Sequence, residues 1–338
     1  MEDNITIALD DRELLSGICG ANDGNLRIIE GSLGGYITAR GNEIHFEGDE
    51  QGVERFRTMI DTLISAVKEG EALSPDYIRA LAGEFIPYEK ELTCKTGTQI
   101  EGQDAENGIN GKGSYLFRDS MIQIPHGLRR VYPKSKNQAL YIQGMRNKEI
   151  CFCIGPAGTG KTYLAIAHAL QMLLSKKMRK LVLTRPVVEA GENLGFLPGD
   201  LAQKIDPYLK PLYDAMESLV PYDIINRMEE TRSIEIAPLA YMRGRSLNDC
   251  MVILDEAQNT TKEQMKMFLT RIGSGTRAVI TGDATQIDLP RKTESGLLHA
   301  LDILREIDDL NFTFLHTCDV ARNPLIKKII QAYNEREN

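Results

Sequence analysis

The chain has 338 residues, 42% of them hydrophobic and 26% charged, a balance that excludes a fibrous or low-complexity protein and suits two or three globular units. No apolar run approaches the roughly 18 residues of a membrane span, and the acidic start MEDNITIALDD lacks the pattern of a secretory signal. The net charge of −8 is uneven: residues 1–95 carry 19 acidic against 9 basic side chains, leaving 29 against 31 for the remainder. The first part is therefore a poor partner for a polyanion on charge alone. A cytoplasmic location with reduced thiols and no membrane contact is expected.

Residues 1–94 read as strand, helix, helix, strand, strand, helix. The strand ITIAL is followed by two segments with helical apolar spacing, at Leu14, Leu15 and Ile18 and at Leu26, Ile29 and Leu33. An alternating pair turns at Gly41-Asn42. A helix then repeats apolar residues from Val53 to Val67, and another starts at the Ser74-Pro75-Asp76 cap. This order resembles a KH domain, whose loop between its first two helices grips nucleic-acid backbone. Here that loop reads CGANDGN, with three residues between Gly20 and Gly24 and no basic side chain. A KH-like α+β scaffold used for docking or assembly is favoured over one that grips RNA, which stays open.

Residues 95–121 are glycine-rich and without apolar period, a flexible connection. Beyond them the stretch Arg129–Lys148 has six basic residues and no acidic one. It can meet a polyanion, as can SKKMRK (Ser175–Lys180), although Lys and Arg also favour a helix C-terminus. No aromatic-interleaved stacking platform is evident, since Trp is absent.

The third part, residues 122–338, holds the chemistry. Gly155, Pro156, Ala157, Gly158, Thr159, Gly160, Lys161 and Thr162 fit G-x-x-x-x-G-K-[ST] at every fixed position, between the apolar run EICFCI and the helical segment that Tyr163 opens. Backbone N–H groups of such a loop converge on phosphates at a helix start. Lys161 is placed for the β- and γ-phosphates and Thr162 for Mg²⁺. The upstream Cys151 and Cys153 fall on one strand face and are read as buried packing rather than a metal pair.

A second acid for the metal is supplied by DCMVILDEAQ, in which Asp255 and Glu256 end an apolar strand. Asp255 is read as a metal ligand through water, and Glu256 as the base or orienter of an attacking water. That pairing argues for hydrolysis over transfer to a small molecule. A third strand ends at Asp283 and Gln286, placed to sense the terminal phosphate.

These motifs together resemble the PhoH-like proteins, an ATPase family similar to the first motor core of superfamily 1 helicases. The likeness runs through TRPVVEAGENLGFLPGD, KIDPYLKPLYDAM, APLAYMRGRSLND, VILDEAQNTT and TGDATQIDLP. It implies an α/β fold, a three-layer, RecA-like P-loop core with a parallel sheet, and ATP with Mg²⁺ as cofactors. It also implies that Gln138 reads adenine, that Arg185 opens a nucleic-acid-contacting segment, and that Arg322 reaches the γ-phosphate in its own or a neighbouring subunit. Arg243 and Arg245 are close enough to the acid-bearing strand to touch phosphate or RNA. The family's expected histidine is Asn323 here.

One P-loop core needs either a ring of subunits or a switching role. The resemblance favours a homo-oligomer, a hexameric ring first, and a link to RNA metabolism with an endoribonuclease partner. Two other functions remain open: a nucleotide-dependent scaffold with little turnover, and a small-molecule kinase. The kinase would need an acceptor pocket and a mobile basic lid, and would lack the Asp255-Glu256-Ala257-Gln258 arrangement.

Overall fold

The computed structural model describes residues 3–9, 11–68, 73–85, 116–187, 201–289 and 295–320, with 12, 84 and 201–207 described by backbone alone. Packing divides the chain into two compact units, Met1–Met121 with Tyr132–Ala139, and Ile122–Val131 with Leu140–Asn338.

In the first unit the elements run β1 (Asp3–Ala8), α1 (Arg12–Cys19), a 3₁₀ turn (Ala21–Asp23), α2 (Gly24–Leu33), β2 (Tyr36–Arg40), β3 (Glu43–Gly48), α3 (Glu50–Lys68), α4 (Pro75–Glu84) and α5 (Leu116–Asp119). The antiparallel sheet has the order β1-β3-β2. Period-two alternation turns Ile5, Ile37, Ile44 and Phe46 inward, where they meet the apolar stripe of α3, with Phe46 and Phe56 stacked at 4.7 Å. Ser74 caps α4 by accepting the Tyr77 amide, and Pro75 opens the helix where no N–H is needed. In the loop between α1 and α2, Asn22 and Asp23 both take left-handed backbone angles.

The second unit begins with the hairpin β4 (Ile122–Ile124) and β5 (Arg129–Val131). It continues through α6 (Lys136–Asn147, whose first residues belong to the first unit), β6 (Ile150–Ile154), α7 (Lys161–Leu174), β7 (Lys180–Arg185), α8 (Leu201–Glu217), α9 (Tyr222–Glu230) and β8 (Ile234–Pro238). It closes with β9 (Cys250–Leu254), α10 (Lys262–Leu269), β10 (Arg277–Gly282), α11 (Gly296–Leu304) and β11 (Leu310–Phe314). The last six strands form one parallel sheet in the order β11-β6-β10-β9-β7-β8.

The central strands are continuous apolar runs because both faces of the sheet are covered. Cys151, Cys153, Leu181, Leu183, Met251, Ile253 and Val279 share one core with α6, α7, α8 and α9. Their alternate neighbours Phe152, Ile154, Val182, Val252, Leu254, Ala278 and Ile280 share another with α10 and α11. Helix, sheet and helix thus make the three-layer α/β P-loop fold. The two cysteines of β6 are buried packing; burial pushes the Cys151 thiol up, and Cys151 Sγ sits 3.1 Å from Asn311 Oδ1.

Strand order decides where the chemistry lies. β10 is inserted between the glycine-loop strand β6 and the acid-bearing strand β9, hydrogen-bonded to both. The C-terminal ends of β6, β7, β9 and β10 therefore meet on one edge, where ligands of open parallel sheets bind. Among the described residues no helix is long and apolar enough to cross a membrane.

Candidate functional site

The loop between β6 and α7 turns on two glycines with left-handed backbone, Gly158 (φ 80°) and Gly160 (φ 83°), and α7 starts at once with Lys161. The positive end of the helix dipole at this start favours an anion. The Gly155 N–H donates to the Gly282 carbonyl at 3.1 Å, which fastens the loop to the end of β10. A side chain at Gly155 has no room, because its Cβ would lie 2.5 Å from the Leu315 carbonyl oxygen. Thr159 is buried, its hydroxyl donating to the Pro156 carbonyl at 2.8 Å.

Lys161 is 9% exposed, and its ammonium donates to the carbonyls of Gly155 (2.5 Å) and Pro156 (2.9 Å). Beneath it Tyr141 is fully buried, with Oη 3.4 Å from the Lys161 carbonyl; burial, then the neighbouring Cys153 and Cys151, keep its phenol protonated far above the usual range. The lysine thus places a buried ammonium at the root of the loop.

Asp255 leaves the end of β9 5% exposed, and its Oδ1 accepts two hydroxyls at 2.7 Å, Thr162 from α7 and Thr281 from β10. Three elements are pinned on one oxygen atom. The cluster is oxygen-only, carboxylate and hydroxyl, the donor chemistry that suits a hard divalent cation.

Glu256 follows with left-handed backbone (φ 53°) and lines the same cavity. Its Oε1 accepts from Arg185 Nη2 at 2.8 Å and its Oε2 from Gln258 Nε2 at 2.5 Å. Gln258 is 1% exposed and works as a hub. Its Oε1 accepts the Asp283 amide at 2.9 Å, and its Nε2 also reaches the Gln286 carbonyl at 3.1 Å. The Glu256 carboxylate is therefore joined through one amide to the turn after β10.

In that turn Asp283 Oδ1 accepts the Thr285 amide and hydroxyl at 2.9 and 2.6 Å. Asp283 is 4% exposed, and its second oxygen, Oδ2, is buried with no hydrogen-bond partner. A buried carboxylate oxygen left in that state is costly unless a ligand or ordered water meets it.

These groups surround one cavity of about 330 Å³. Ala157, Gly158, Gly160, Lys161, Thr162 and Tyr163 line it from the loop side, and Asp255, Glu256, Asp283 and Gln286 from the strand ends. Most of the residues picked from the sequence are brought to it. Gln138 lies in the first unit, buried, its side-chain oxygen accepting the Lys134 amide at 2.6 Å. Arg322, Asn323 and the run from 188 to 200 lie outside the described residues.

Two arginines singled out in the sequence have partners within the chain. Arg245 holds Glu235 of β8 with two hydrogen bonds, 2.5 and 2.9 Å, beside Lys180 at 2.6 Å from the same carboxylate. A planar guanidinium matches a carboxylate in this way whatever else is near. Arg185, which opens the segment likened to a nucleic-acid-contacting one, lines the cavity and pairs with Glu256. Thr281 was not picked at all, and Gln258 only as the last of the run Asp255-Glu256-Ala257-Gln258, with no role of its own. The available signal was position: both flank an apolar strand end, as Asp255 does.

The PhoH-like protein family profile matches residues 130–334. A PhoH-like protein of Mycobacterium tuberculosis is 43% identical over 325 residues, 96% of this chain and 86% of its own length. One from Bacillus subtilis is 42% identical over 94% of this chain and 93% of its own, and protein PhoH of Escherichia coli is 40% identical over 65% and 61%. A superposition on the SWI2/SNF2 ATPase core of Sulfolobus solfataricus in complex with dsDNA has a TM-score of 0.30, at 16% identity over 46% of this chain and 34% of that one, too loose to bear on function. With the profile covering more than half of its length and relatives matching nearly end to end, the chain belongs to the PhoH-like protein family.

Proposed function

We propose that the chain binds ATP with magnesium in this cavity and hydrolyses it through Glu256. The observation that carries the reading is Asp255 Oδ1, shared at 2.7 Å by Thr162 and Thr281 beside the buried ammonium of Lys161. Hydroxyl, carboxylate and cation at a helix start are the parts phosphoryl transfer needs. Thr162 and Asp255 would hold the metal, which when bound offsets charge on the terminal phosphates.

Lys161 and the loop N–H groups grip the phosphates, and Gln138 is proposed for the adenine edge. Glu256 orients a water and accepts its proton as the water oxygen bonds to the terminal phosphorus. The bond to the bridging oxygen breaks in the same displacement, its electron pair leaving on ADP, and inorganic phosphate is the second product.

We extend the reading to RNA metabolism. What supports it is the basic stretch Arg129–Lys148, of which Arg129 and Arg130 are exposed, in a part of the chain free of the acidic excess. A homo-oligomeric, first a hexameric, ring in which Arg322 of a neighbour completes each site fits a chain with one P-loop, and an endoribonuclease is the proposed partner.

A second reading, a nucleotide-dependent scaffold with little turnover, is favoured by one observation: both oxygens of Glu256 are already engaged, by Arg185 and Gln258. Steady-state ATP turnover with and without single-stranded RNA, beside Glu256→Gln, separates the two. Turnover that rises with RNA and is lost in the variant supports the coupled ATPase. Nucleotide binding with equal inactivity in both proteins supports the scaffold. Light scattering of the eluted protein tests the ring.

A further inference from the structure

Arg185 ends β7 immediately beside β9, and its side chain is 18% exposed inside the cavity that Lys161 and Thr162 line. Nη2 donates to Glu256 Oε1 at 2.8 Å and Nη1 to the Tyr208 carbonyl of α8 at 3.1 Å, while Nε stands 4.0 Å from Asp255 Oδ2. A guanidinium offers five donors in one plane. Here it spends one on the carboxylate through a single bond, not the two-bond fork that Arg245 makes with Glu235. The contact is the weaker kind, and its partner is the side chain that must be at liberty to take a proton.

Resting on the reading of the cavity as an ATP site, we propose that Arg185 is a phosphate sensor in the same subunit. It exchanges Glu256 for the terminal phosphate of a bound triphosphate, and so frees the Glu256 carboxylate for water only when that phosphate is present. The exchange has the right sign. A terminal phosphate carries more charge than a carboxylate and presents oxygens that a guanidinium binds in pairs. A diphosphate lacks that group and leaves the Arg185–Glu256 pair in place. A ligand shifts such an equilibrium only through its different affinity for the two arrangements, and here the difference is one phosphoryl group.

The same geometry explains why Glu256 is held on its other oxygen by Gln258. When Arg185 leaves, one anchor remains, so the carboxylate is released from its cation without losing its direction.

The test is equilibrium binding of fluorescent ADP and of a fluorescent non-hydrolysable triphosphate analogue, with ATP turnover, on the full chain as wild type, Arg185→Gln and Arg185→Lys. Circular dichroism melts confirm that each variant is folded. Arg185→Gln is expected to weaken the triphosphate analogue about tenfold and to lower kcat at least about tenfold. ADP affinity should stay within about twofold. Arg185→Lys keeps the charge without the fork and should recover part of both losses.

Equal weakening of ADP and the analogue overturns the proposal, since that is the mark of a structural brace. So does unchanged or faster turnover in Arg185→Gln, which would make the arginine dispensable or a mere restraint. Wild type that neither binds nor hydrolyses nucleotide removes the reading of the cavity, and the sensor with it. Active wild type beside an equally active variant removes only the sensor.

Discussion

At the scale of single residues, the site is organised around one oxygen atom. Thr281 contributes no loop, glycine or charge, yet its hydroxyl is one of two that fix Asp255 Oδ1 at 2.7 Å. Thr281→Val keeps the shape and removes the donor. Groups that orient a metal's ligands are worth about 10–100-fold in affinity, so the magnesium concentration for half-maximal ATP turnover should rise by about tenfold or more. A magnesium titration of wild type and variant reads this, and an unshifted midpoint would leave Thr281 as sheet packing. Lys161, Thr162 and Asp255 were legible in the sequence because each sits in a short local pattern tied to a strand end. Thr281 and Gln258 were not, because their roles depend on which strand lies beside which. The partner of Arg245 was hidden for the same reason: Glu235 is on strand β8, and only the fold brings the two together.

At the scale of elements, β10 is the member through which the others communicate. It pairs with β6 on one side and β9 on the other, and its last residue, Gly282, accepts the Gly155 amide. A Cβ at Gly282 would meet Leu297 Cδ2 at 2.5 Å and Gln258 Oε1 at 3.0 Å. Gly282→Ala should therefore cost about 1–3 kcal/mol by overpacking and also push the Gln258 amide off the Glu256 carboxylate. Thermal melts should show the first effect. A kcat that falls with little change in nucleotide affinity should show the second. The periodic apolar runs made β6, β9 and β10 readable one by one, but no local pattern states that β10 lies between the other two.

At the scale of the molecule, two groups tie stability to acidity. His168 of α7 is 2% exposed; burial, then the charges of Arg146 and Arg277, hold its imidazole down at about 4, against 6.5 ordinarily. Between those values the unfolded chain binds the extra proton, so stability falls as pH drops from about 6.5 towards 4 and levels off below. The full effect is about 3 kcal/mol. Glu235, held at about 2 chiefly by the hydrogen bonds of Arg245, adds stability above about 4.5 that is lost as pH falls further. Melting midpoints of wild type and His168→Gln from pH 7.5 to 4 should run parallel above about 6.5 and differ in slope between about 6.5 and 4. Parallel curves throughout would mean that His168 is not charged at the cost inferred.

The left-handed backbone at Glu256 carries a consequence for how folding and turnover trade against each other. A residue with a Cβ in that conformation stores about 1 kcal/mol or more of strain, which glycine would not. Glu256→Ala and Glu256→Gly both delete the carboxylate and its two hydrogen bonds, so their difference isolates the backbone. The glycine variant should melt higher than the alanine variant by about 1 kcal/mol of unfolding free energy, with both devoid of turnover. The native chain would then be holding a fraction of its folding free energy as a wound spring under one side chain, spent on aiming a single carboxylate.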